Sequence, residues 1–493
     1  MSELKFLAFD LGAESGRAVM GLLNGDKLSL KDVHRFKNGG VAVGDSLYWD
    51  VLRLFDEMKD GLRMAVQTYG HDIAGAGIDT WGVDFGLLGP NDTLLENPRC
   101  YRDSRTDGMM DEAFNIVPRD EIYDRTGIQF MQFNTIFQLL ALGRTNRWML
   151  DTARTMLMMP DLLNFWFTGE KANEFTDATT TQIYNPKLGG YDTELLGKLG
   201  IPTHFLQKIV PPGTVLGKLR ASVASETGAG EIPWVAPATH DTGSAVAAVP
   251  ATGKSHAYIS SGTWSLMGVE SAEPIINEKA RRFNVTNEGG VSGTFRVLRN
   301  IMGLWLVQEC KRTWGLQGKE LSYTTLTEMA TKAEPFRSII DPDDTSFLKP
   351  CDMPARIREF CKRTNQPVPE TEGQVVRTAL DSLALKYRWV LERLEALMGW
   401  QLDTIHMVGG GIQNKLLCQL AANVTGRPVI AGPVEATAIG NILVQAMGLG
   451  YISSIEQGRE IVRKSFDLVT YEPVPDPRVD EVYARFRGFA DAE

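Results

Sequence analysis

The stretch WVAPATHDTGSAVAAVP, residues 234–250, places a carboxylate among small and apolar residues. Carboxylates are rarely buried without a partner, and burial without one raises their pKa. A sheltered carboxylate of this kind can accept a proton near neutral pH. The alternative is that Asp241 only caps the helix predicted over TGSAVAAV, since aspartate is a favoured N-cap residue.

Two strand-turn-strand patterns carry small residues in their turns, KFLAFDLGAESGRAVMGLL and SHAYISSGTWSLMGVE. In the first turn, successive backbone N–H groups would point at one spot and could cradle a phosphate. Asp10 could hold Mg²⁺ there through oxygen or water contacts, and Arg17 could neutralise charge. The alternative is a plain hairpin with a solvated Asp10. The second turn, Ser260–Thr263, is a common type of turn, and it is a candidate phosphate site only because it repeats the strand-turn-strand pattern of the first.

Familiar nucleotide motifs are absent from the other glycine-rich segments. TGKSH resembles the end of a Walker A loop, but the first glycine of that pattern falls on Ala248. GGGIQN fails the dinucleotide fingerprint, because its third glycine position is Asn414. The sequence therefore argues against a P-loop enzyme and a Rossmann dehydrogenase.

Strands and helices alternate around these segments, which predicts an α/β fold. IAGAGIDTWGVDFGLLGP reads as two strands, and helices are predicted around 133–148 and 160–168. Apolar residues at spacings of three and four predict a long helix that ends at Gly399. The strand DTIHMV, the turn GGG, the helix NKLLCQLAANVTG, the strand RPVIAGP and the helix ATAIGNILVQAMG follow. Two similar openings about 250 residues apart suggest two related halves with a boundary near residue 250.

Composition excludes several classes of protein. A net charge of −10 and a pI near 5.3 argue against nucleic acid or an anionic membrane as a partner. The chain starts without a basic signal segment, and no apolar run approaches a membrane span. Five cysteines without CxxC spacing fit the cytoplasm better than a disulfide frame or a zinc site, although a disulfide between Cys351 and Cys361 stays open.

Several motifs occur in order along nearly the whole chain: FDLGAESGR, GIDTWGVDF, CYRDSRT, ATHDTGSAV, SSGTWSLMG, RNIMGLWLVQE, MVGGGIQN and AGPVEATAIGN. Together they resemble the FGGY family of carbohydrate kinases. The resemblance implies a duplicated, two-domain α/β fold of the actin-like, ribonuclease-H-like type, with ATP in the interdomain cleft. It also implies a sugar- and phosphate-binding domain at 1–249, a nucleotide-binding domain at 250–450, and a tail at 451–493 that packs back on the body.

The activity implied by the resemblance is ATP-dependent, Mg²⁺-requiring phosphorylation of the C1 hydroxyl of L-rhamnulose, by a monomer or small homo-oligomer. Asp241 would be the base that accepts the hydroxyl proton. The predicted sugar contacts are Gly82, His240, Asp241, Thr242 and Asn300. The predicted ATP contacts are Ala13, Glu14, Ser15, Gly16, Arg17, Thr263, Gln308, Gly410 and Gly411. The predicted metal ligand is Asp10.

Other interpretations of these residues remain open. His240 could be an ordinary buried histidine, Gln308 an exposed helix residue, and GGG a simple turn. Asp84, Asp103 and Arg105 could line the sugar pocket, although a surface pair of Asp103 with Arg105 is an equal alternative.

Rival functions are a kinase for another ketose or polyol such as L-fuculose or L-xylulose, a non-catalytic sugar sensor, and an actin-like assembly ATPase. A sensor would not need Asp10 together with Asp241. An assembly ATPase would not need the residues predicted to contact sugar.

Overall fold

The structure is a computed structural model and describes residues 3–491. The ends of the predicted ranges, residues 1–2 and 492–493, lie outside the described residues. The chain forms two compact units. The first comprises residues 3–250, Glu270–Val297 and Ala436–Phe466, and the second comprises Ala251–Val269, Leu298–Glu435 and 467–491. The domains expected from the sequence are contiguous ranges, whereas each of these units is made of three separate segments. The two differ because a segment can pack with residues that are distant along the chain.

The strands are, in chain order, β1 (Leu4–Leu11), β2 (Ser15–Asn24), β3 (Lys27–Lys37), β4 (Gly40–Val43), β5 (Ser46–Trp49), β6 (Gly75–Thr80), β7 (Phe85–Leu88), β8 (Thr155–Met158), β9 (Asn173–Glu174), β10 (Tyr184–Asn185), β11 (Gly190–Tyr191), β12 (Ile209–Val210), β13 (Thr214–Lys218), β14 (Pro233–Ala236), β15 (His256–Ser261), β16 (Trp264–Ser271), β17 (Thr286–Gly289), β18 (Phe295–Met302), β19 (Thr404–Val408), β20 (Val429–Ala431) and β21 (Val469–Tyr471).

The α-helices are α1 (Val51–Tyr69), α2 (Met109–Ile116), α3 (Arg119–Thr126), α4 (Thr135–Thr145), α5 (Arg147–Thr152), α6 (Met159–Thr168), α7 (Phe175–Ala178), α8 (Thr193–Lys198), α9 (Ala221–Thr227), α10 (Asp241–Ala247), α11 (Glu278–Phe283), α12 (Trp305–Leu316), α13 (Tyr323–Lys332), α14 (Met353–Arg363), α15 (Glu372–Met398), α16 (Lys415–Thr425), α17 (Ala436–Gly448), α18 (Ile455–Ser465) and α19 (Val479–Ala490).

The main sheet of the first unit is built around the predicted N-terminal hairpin. β1 is almost wholly apolar and buried, so it occupies a central position, and the strand order is β13-β14-β6-β1-β2-β3. β1 pairs antiparallel with β2 and parallel with β6, which in turn pairs parallel with β14. Parallel neighbours bring the carboxyl ends of β1, β6 and β14 to the same edge of the sheet. The residues that follow these strands are therefore held close together.

The second unit repeats this arrangement. Its sheet contains the strands β18-β16-β15-β19-β20-β21 in that order, with β15 antiparallel to β16 and parallel to β19. β20 continues the parallel run beside β19. The predicted second hairpin and the predicted strand DTIHMV are thus confirmed, and each unit has a hairpin followed by parallel strands.

The long predicted helix is confirmed as α15. It begins after a capping box in which Thr371 and Gln374 satisfy each other's backbone N–H groups, and it ends at Gly399, whose φ of 79° is left-handed. The apolar residues that predicted it are buried from Val376 to Leu394. The helices predicted at 133–148 and 160–168 correspond to α4 with α5 and to α6.

Late segments of the chain complete the first unit. α17 packs against β1, β6 and α10, and α18 packs against β3. All five cysteines are free thiols, so the structure holds no disulfide between Cys351 and Cys361. Within residues 3–491, no helix combines the length and hydropathy needed to cross a membrane.

Candidate functional site

Asp10 and Asp79 lie side by side at the carboxyl ends of β1 and β6. They are register partners in the parallel pair, so their side chains leave the same face of the sheet. Arg17 is the antiparallel partner of Asp10 on β2, and its Nε and Nη2 donate to Asp10 Oδ2 at 3.0 and 2.7 Å. The structure therefore brings together the predicted metal ligand and one predicted ATP contact, with the carboxylate neutralised by the guanidinium.

Asp79 was missed by sequence reasoning. Its side chain is fully buried, and its Oδ2 accepts a hydrogen bond from Asn441 Nδ2 at 2.5 Å. Its Oδ1 has no hydrogen-bond partner among the described residues. Burial raises the pKa of Asp79 well above the ordinary aspartate value, and the negative charge of Asp10 adds to this shift. The available signal was the position of Asp79 at the end of the buried strand GAGIDT, which parallels the place of Asp10 in LKFLAFDL.

Asp241 is positioned by the strand beside it. Thr80 N donates to Thr239 O at 2.8 Å, and Thr80 forms a parallel bridge with His240, which extends β6 toward the start of α10. The N-cap residue of α10 is His240, and Asp241 is the first helical residue. Asp241 therefore does not occupy the N-cap position that the capping interpretation assigned to it.

The carboxylate of Asp241 is about two-thirds buried, with its side chain 32% exposed. Burial raises the pKa of Asp241, the neighbouring His240 lowers it, and the charge of Asp10 raises it further. Thr242 Oγ1 donates to Asp241 Oδ1 at 3.1 Å and fixes the orientation of the carboxylate. An oriented carboxylate with raised basicity is suited to accept a proton.

A buried glutamate holds the loop that carries Asp241. Glu174 Oε2 accepts hydrogen bonds from Thr239 N at 3.0 Å and from Thr239 Oγ1 at 2.8 Å. His240 N donates to Thr176 Oγ1 at 3.1 Å. Because Glu174 is fully buried, burial raises its pKa, and the hydrogen bonds from Thr176 and Thr239 oppose that shift. The loop conformation is thus fixed by buried polar contacts that sequence reasoning did not find.

The glycine at position 82 is required by packing within the protein. A Cβ at Gly82 would lie 2.9 Å from Thr180 Cγ2 and 3.0 Å from Thr180 Oγ1. Thr180 Oγ1 also accepts a hydrogen bond from Val83 N at 3.0 Å. The resemblance made Gly82 a predicted sugar contact, whereas the structure supplies Thr180 as a sufficient reason for a glycine there. A sugar contact through the Gly82 backbone stays a prediction.

Asp103 and Arg105 are buried, so their interpretation as a surface pair is wrong. Their side chains are only 2% and 8% exposed, and Arg105 Nη1 lies 3.3 Å from Asp103 Oδ1. Arg105 Nη2 also donates to Gln138 Oε1 at 2.6 Å. Spacing along the sequence cannot distinguish a surface pair from a buried one, because here the burial comes from segments that are distant along the chain.

Asp84 is a structural acceptor for two tryptophans. Trp49 Nε1 and Trp81 Nε1 donate to Asp84 Oδ2 at 2.6 and 3.0 Å, and Gln138 Nε2 donates to Oδ1 at 2.9 Å. Burial raises the pKa of Asp84 to about 6, and these hydrogen bonds oppose the shift. Its oxygens are occupied by protein donors, which explains the aspartate without a ligand.

The first hairpin turn has Ala13 and Glu14 at its tip. Gly12 N donates to Ser15 O at 2.8 Å, so this N–H closes the turn. Asn38 supports the turn from β3's end, with Nδ2 donating to Gly12 O at 2.7 Å. The N–H of Gly12 is therefore not available to a phosphate, and the ATP contacts from Ala13 to Arg17 stay a prediction.

In the second unit, the turn that contains Thr263 is tied to the start of α12. Trp305 N donates to Thr263 O at 3.0 Å. Gln308 lies on α12, is half-buried, and has its Oε1 buried without a hydrogen-bond partner among the described residues. The alternative of an exposed helix residue is thus wrong for Gln308. Asn300 lies on β18 of the same unit.

Two adjacent glycines after β19 have different surroundings. A Cβ at Gly411 would lie 2.1 Å from Ser261 Oγ, so packing against the end of β15 requires glycine there. A Cβ at Gly410 would meet nothing within 4 Å. Asn414 then caps α16, accepting from Leu417 N at 3.0 Å. Gly410 therefore faces open space at the carboxyl edge of the sheet, where ligands of α/β proteins bind.

The oxygen donors at Asp10 suit Mg²⁺. This ion usually takes one or two carboxylates and completes its shell with water and phosphate oxygens. No group of three or more histidine, cysteine, aspartate or glutamate side chains within residues 3–491 is arranged to hold a metal alone. A single carboxylate that works together with a phosphate ligand fits both facts.

Comparisons with known proteins cover both halves of the chain. The model of the N-terminal domain of the FGGY family of carbohydrate kinases matches residues 5–248, and that of the C-terminal domain matches residues 257–449. A rhamnulokinase of Bacteroides thetaiotaomicron is 46% identical over 98% of this chain and 99% of its own length. A rhamnulokinase of Oceanobacillus iheyensis is 45% identical over 95% and 98%.

Solved structures support the fold. A gluconate kinase from Lactobacillus acidophilus superposes with a TM-score of 0.80 at 18% identity, covering 100% of this chain and 98% of that one. A xylulose kinase from the same organism gives a TM-score of 0.79 at 17% identity, covering 99% and 97%. At these identities the likeness shows the fold alone. The predicted two-domain α/β fold is confirmed, and the chain belongs to the FGGY family of carbohydrate kinases.

Proposed function

We propose that this protein transfers the γ-phosphoryl group of ATP to the C1 hydroxyl of L-rhamnulose and so produces L-rhamnulose 1-phosphate. The observation that carries the proposal is the 38–46% identity to four rhamnulokinases over nearly the full chain. The half-buried carboxylate at the start of α10 supplies the chemistry that such a transfer needs. An ATP-dependent step also fits the cytoplasmic location predicted from the cysteine content.

Asp241 accepts the proton of the C1 hydroxyl as the oxygen attacks the γ-phosphorus. Its raised pKa makes it a stronger base than an exposed aspartate, and Thr242 holds its orientation. The O–H bond of the sugar breaks, a new C1–O–P bond forms, and the β–γ bridging oxygen leaves with ADP. The backbone contacts of Thr239 and His240 to Glu174 and Thr176 keep the base in place.

Gly82, His240, Thr242 and Asn300 are the proposed sugar contacts. His240, which precedes Asp241, forms a bridge with Thr80 at the end of β6, and Gly82 follows that strand by two residues. The hydroxyl of Thr242 already donates to Asp241, so its part in sugar recognition would use its oxygen as an acceptor.

The proposed ATP contacts lie in the first hairpin turn of the first unit and, in the second unit, in the second hairpin turn, on α12 and in the turn after β19. The proposed contacts are Ala13, Glu14, Ser15, Gly16, Arg17, Thr263, Gln308, Gly410 and Gly411. Two observations support this assignment: the open space at Gly410, and the buried Oε1 of Gln308, which has no hydrogen-bond partner within residues 3–491. Asp10 would hold Mg²⁺, which when bound neutralises charge on the phosphates. Arg17 donates to Asp10 in the structure and would add positive charge beside the phosphates.

The test is ADP release measured with a panel of ketoses and polyols, including L-rhamnulose, L-fuculose and L-xylulose. L-rhamnulose should give the highest kcat/KM, and the product should carry phosphate on C1 by ³¹P NMR. A higher kcat/KM with L-fuculose or L-xylulose would assign the enzyme to that ketose. Sugar binding without ADP release from any substrate would favour a sensor.

A further inference from the structure

A buried ion pair contacts the histidine that precedes Asp241. Arg296, on β18, has its Nη2 3.1 Å from Glu288 Oε2 and 3.1 Å from His240 Nδ1. Glu288, on β17, has its Oε2 3.2 Å from the same Nδ1. The side chains of Arg296 and Glu288 are 0% and 5% exposed. All three residues belong to the first compact unit.

The chemistry of the guanidinium constrains the proton on His240. Arginine can only donate hydrogen bonds, and the contact of Arg296 Nη2 with His240 Nδ1 has hydrogen-bond geometry. In a neutral imidazole, the nitrogen that accepts carries no proton, so the proton must lie on Nε2. His240 Nε2 lies 3.6 Å from Asp241 Oδ1. An Nε2–H therefore faces the carboxylate.

The opposite tautomer would be unfavourable in this arrangement. With the proton on Nδ1, an N–H of the ring would meet an N–H of Arg296 at the same 3.1 Å. The lone pair on Nε2 would then face the negative oxygen of Asp241. Only the contact of Nδ1 with Glu288 Oε2, at 3.2 Å, would become attractive, while the hydrogen bond from Arg296 would be lost and the contact with Asp241 would become repulsive.

We infer that Arg296, with its charge balanced by Glu288, is a positioning residue that holds His240 as the Nε2–H tautomer toward Asp241. The inference rests on the proposed role of Asp241 as the base. The hydrogen bonds and ion pair described for Arg296 go to Gly289, His240 and Glu288, so its effect on Asp241 would pass through the imidazole. Its backbone anchor is the hydrogen bond from Nε to Gly289 O at 2.8 Å.

Histidine tautomers are read directly by ¹⁵N NMR, because protonated and unprotonated ring nitrogens differ widely in chemical shift. The chain has six histidines, so loss of one signal set in His240→Asn assigns His240. In the wild-type protein above the titration range of the ring, we expect Nε2 protonated and Nδ1 unprotonated. A protonated Nδ1 with an unprotonated Nε2 would overturn the inference, without any further variant.

The variant Arg296→Met tests whether Arg296 is the cause of the His240 tautomer. Removal of the donor leaves Glu288 as the neighbour of Nδ1, so the proton should move to Nδ1 and the tautomer should switch. In metal sites, loss of a group that orients a ligating histidine typically costs about 10-fold to 100-fold in activity, and a loss of similar size is expected for His240. We expect this loss in kcat for L-rhamnulose, with a smaller change in KM, and partial recovery in Arg296→Lys.

The matched control is Arg377→Met. Arg377 forms a similarly buried ion pair with Asp381, at 2.8 Å, in the second unit. This variant also removes the arginine partner of a buried carboxylate and should lose comparable stability, but the His240 tautomer and kcat should stay near the wild-type values. Equal kcat losses in the two arginine variants, or an unchanged tautomer in Arg296→Met, would overturn the inference. Absence of turnover with every ketose would overturn the proposed function and leave the tautomer result to be judged separately.

Discussion

Replacement of Asp241 by asparagine removes the basicity of the side chain while it keeps the shape, so it tests the proposed role of Asp241 as the base. Asparagine has nearly the same size, and its Oδ1 can still accept the hydrogen bond that Thr242 Oγ1 makes at 3.1 Å. Only the ability to take up a proton is lost. Because Asp10 and Asp79 both interact unfavourably with the charge of Asp241, its removal should not lower the melting temperature.

The expected loss of rate follows from the role of a positioned base. Such a group typically contributes about 10²-fold to 10⁴-fold, which at about 1.36 kcal/mol per factor of ten corresponds to about 3 to 5 kcal/mol of transition-state stabilisation. The raised pKa of Asp241 favours the upper part of this range, since a more basic group gains more from taking the proton. The KM for L-rhamnulose should change by only a few fold.

The assay is coupled ADP release with L-rhamnulose, run beside thermal unfolding of each variant. Asp352→Asn is the matched control, because Asp352 accepts from Ala355 N at 3.1 Å as the N-cap of α14. Asparagine is an equally good cap, so this variant should keep its kcat and its melting temperature. A near-normal kcat in Asp241→Asn would refute the assignment of the base.

Four further variants test other parts of the protein. Asp10→Ala should abolish Mg²⁺-dependent turnover. Its affinity for L-rhamnulose, measured by calorimetry, should stay within a few fold of the wild-type value. A large loss of sugar affinity in a folded variant would place Asp10 in the sugar site. Gly410→Ala should keep the melting temperature but raise the KM for ATP about fivefold, equivalent to about 1 kcal/mol. The neighbouring variant Gly411→Ala should instead lose about 1 to 3 kcal/mol of stability, because the new Cβ would clash with Ser261 Oγ. The same melting temperature and the same KM for ATP in the two variants would contradict the different surroundings assigned to the two glycines. Asp84 has a pKa of about 6 against 3.8 in the unfolded chain, so the folded state holds its proton more tightly. The stabilisation of the folded state that comes from this tighter proton binding is fully present below pH 4 and is lost as the pH rises through 6. The free energy of unfolding should fall by about 3 kcal/mol over this range. Denaturant unfolding at pH 4 and pH 7 should show a fall in the free energy of unfolding that is smaller in Asp84→Asn than in the wild type by this amount. The same fall in both proteins would refute the raised pKa of Asp84.

Local sequence patterns predicted much of the fold. Each hairpin was readable because two apolar runs flank a short turn of small residues, and α15 was readable from its apolar spacing and its terminal glycine. The same local contrast revealed Asp10, near the end of an apolar strand, and Asp241, which lies among small and apolar residues. These features depend on residues that are neighbours along the chain.

The residues that were missed depend on distant neighbours. Asp79 is buried by contacts that include Asn441, which lies 362 positions away. Glu288 and Arg296 look like ordinary charged residues in the sequence, and only the structure places them against His240. Asp103 and Arg105 were open to a surface interpretation for the same reason. Local patterning can identify a charged residue but not the segment that will cover it.

The dependence of the first unit on α17 has a consequence for synthesis on the ribosome. At about 5 to 20 residues per second, Asn441 is polymerised roughly 20 to 70 s after its partner Asp79. During that interval β1 and β6 lack the helix that covers them, and their apolar face is open to chaperones or to other nascent chains. A gene fragment that ends near residue 250 would leave this face open permanently. Truncated products of this protein are therefore expected to aggregate rather than to accumulate as a folded half.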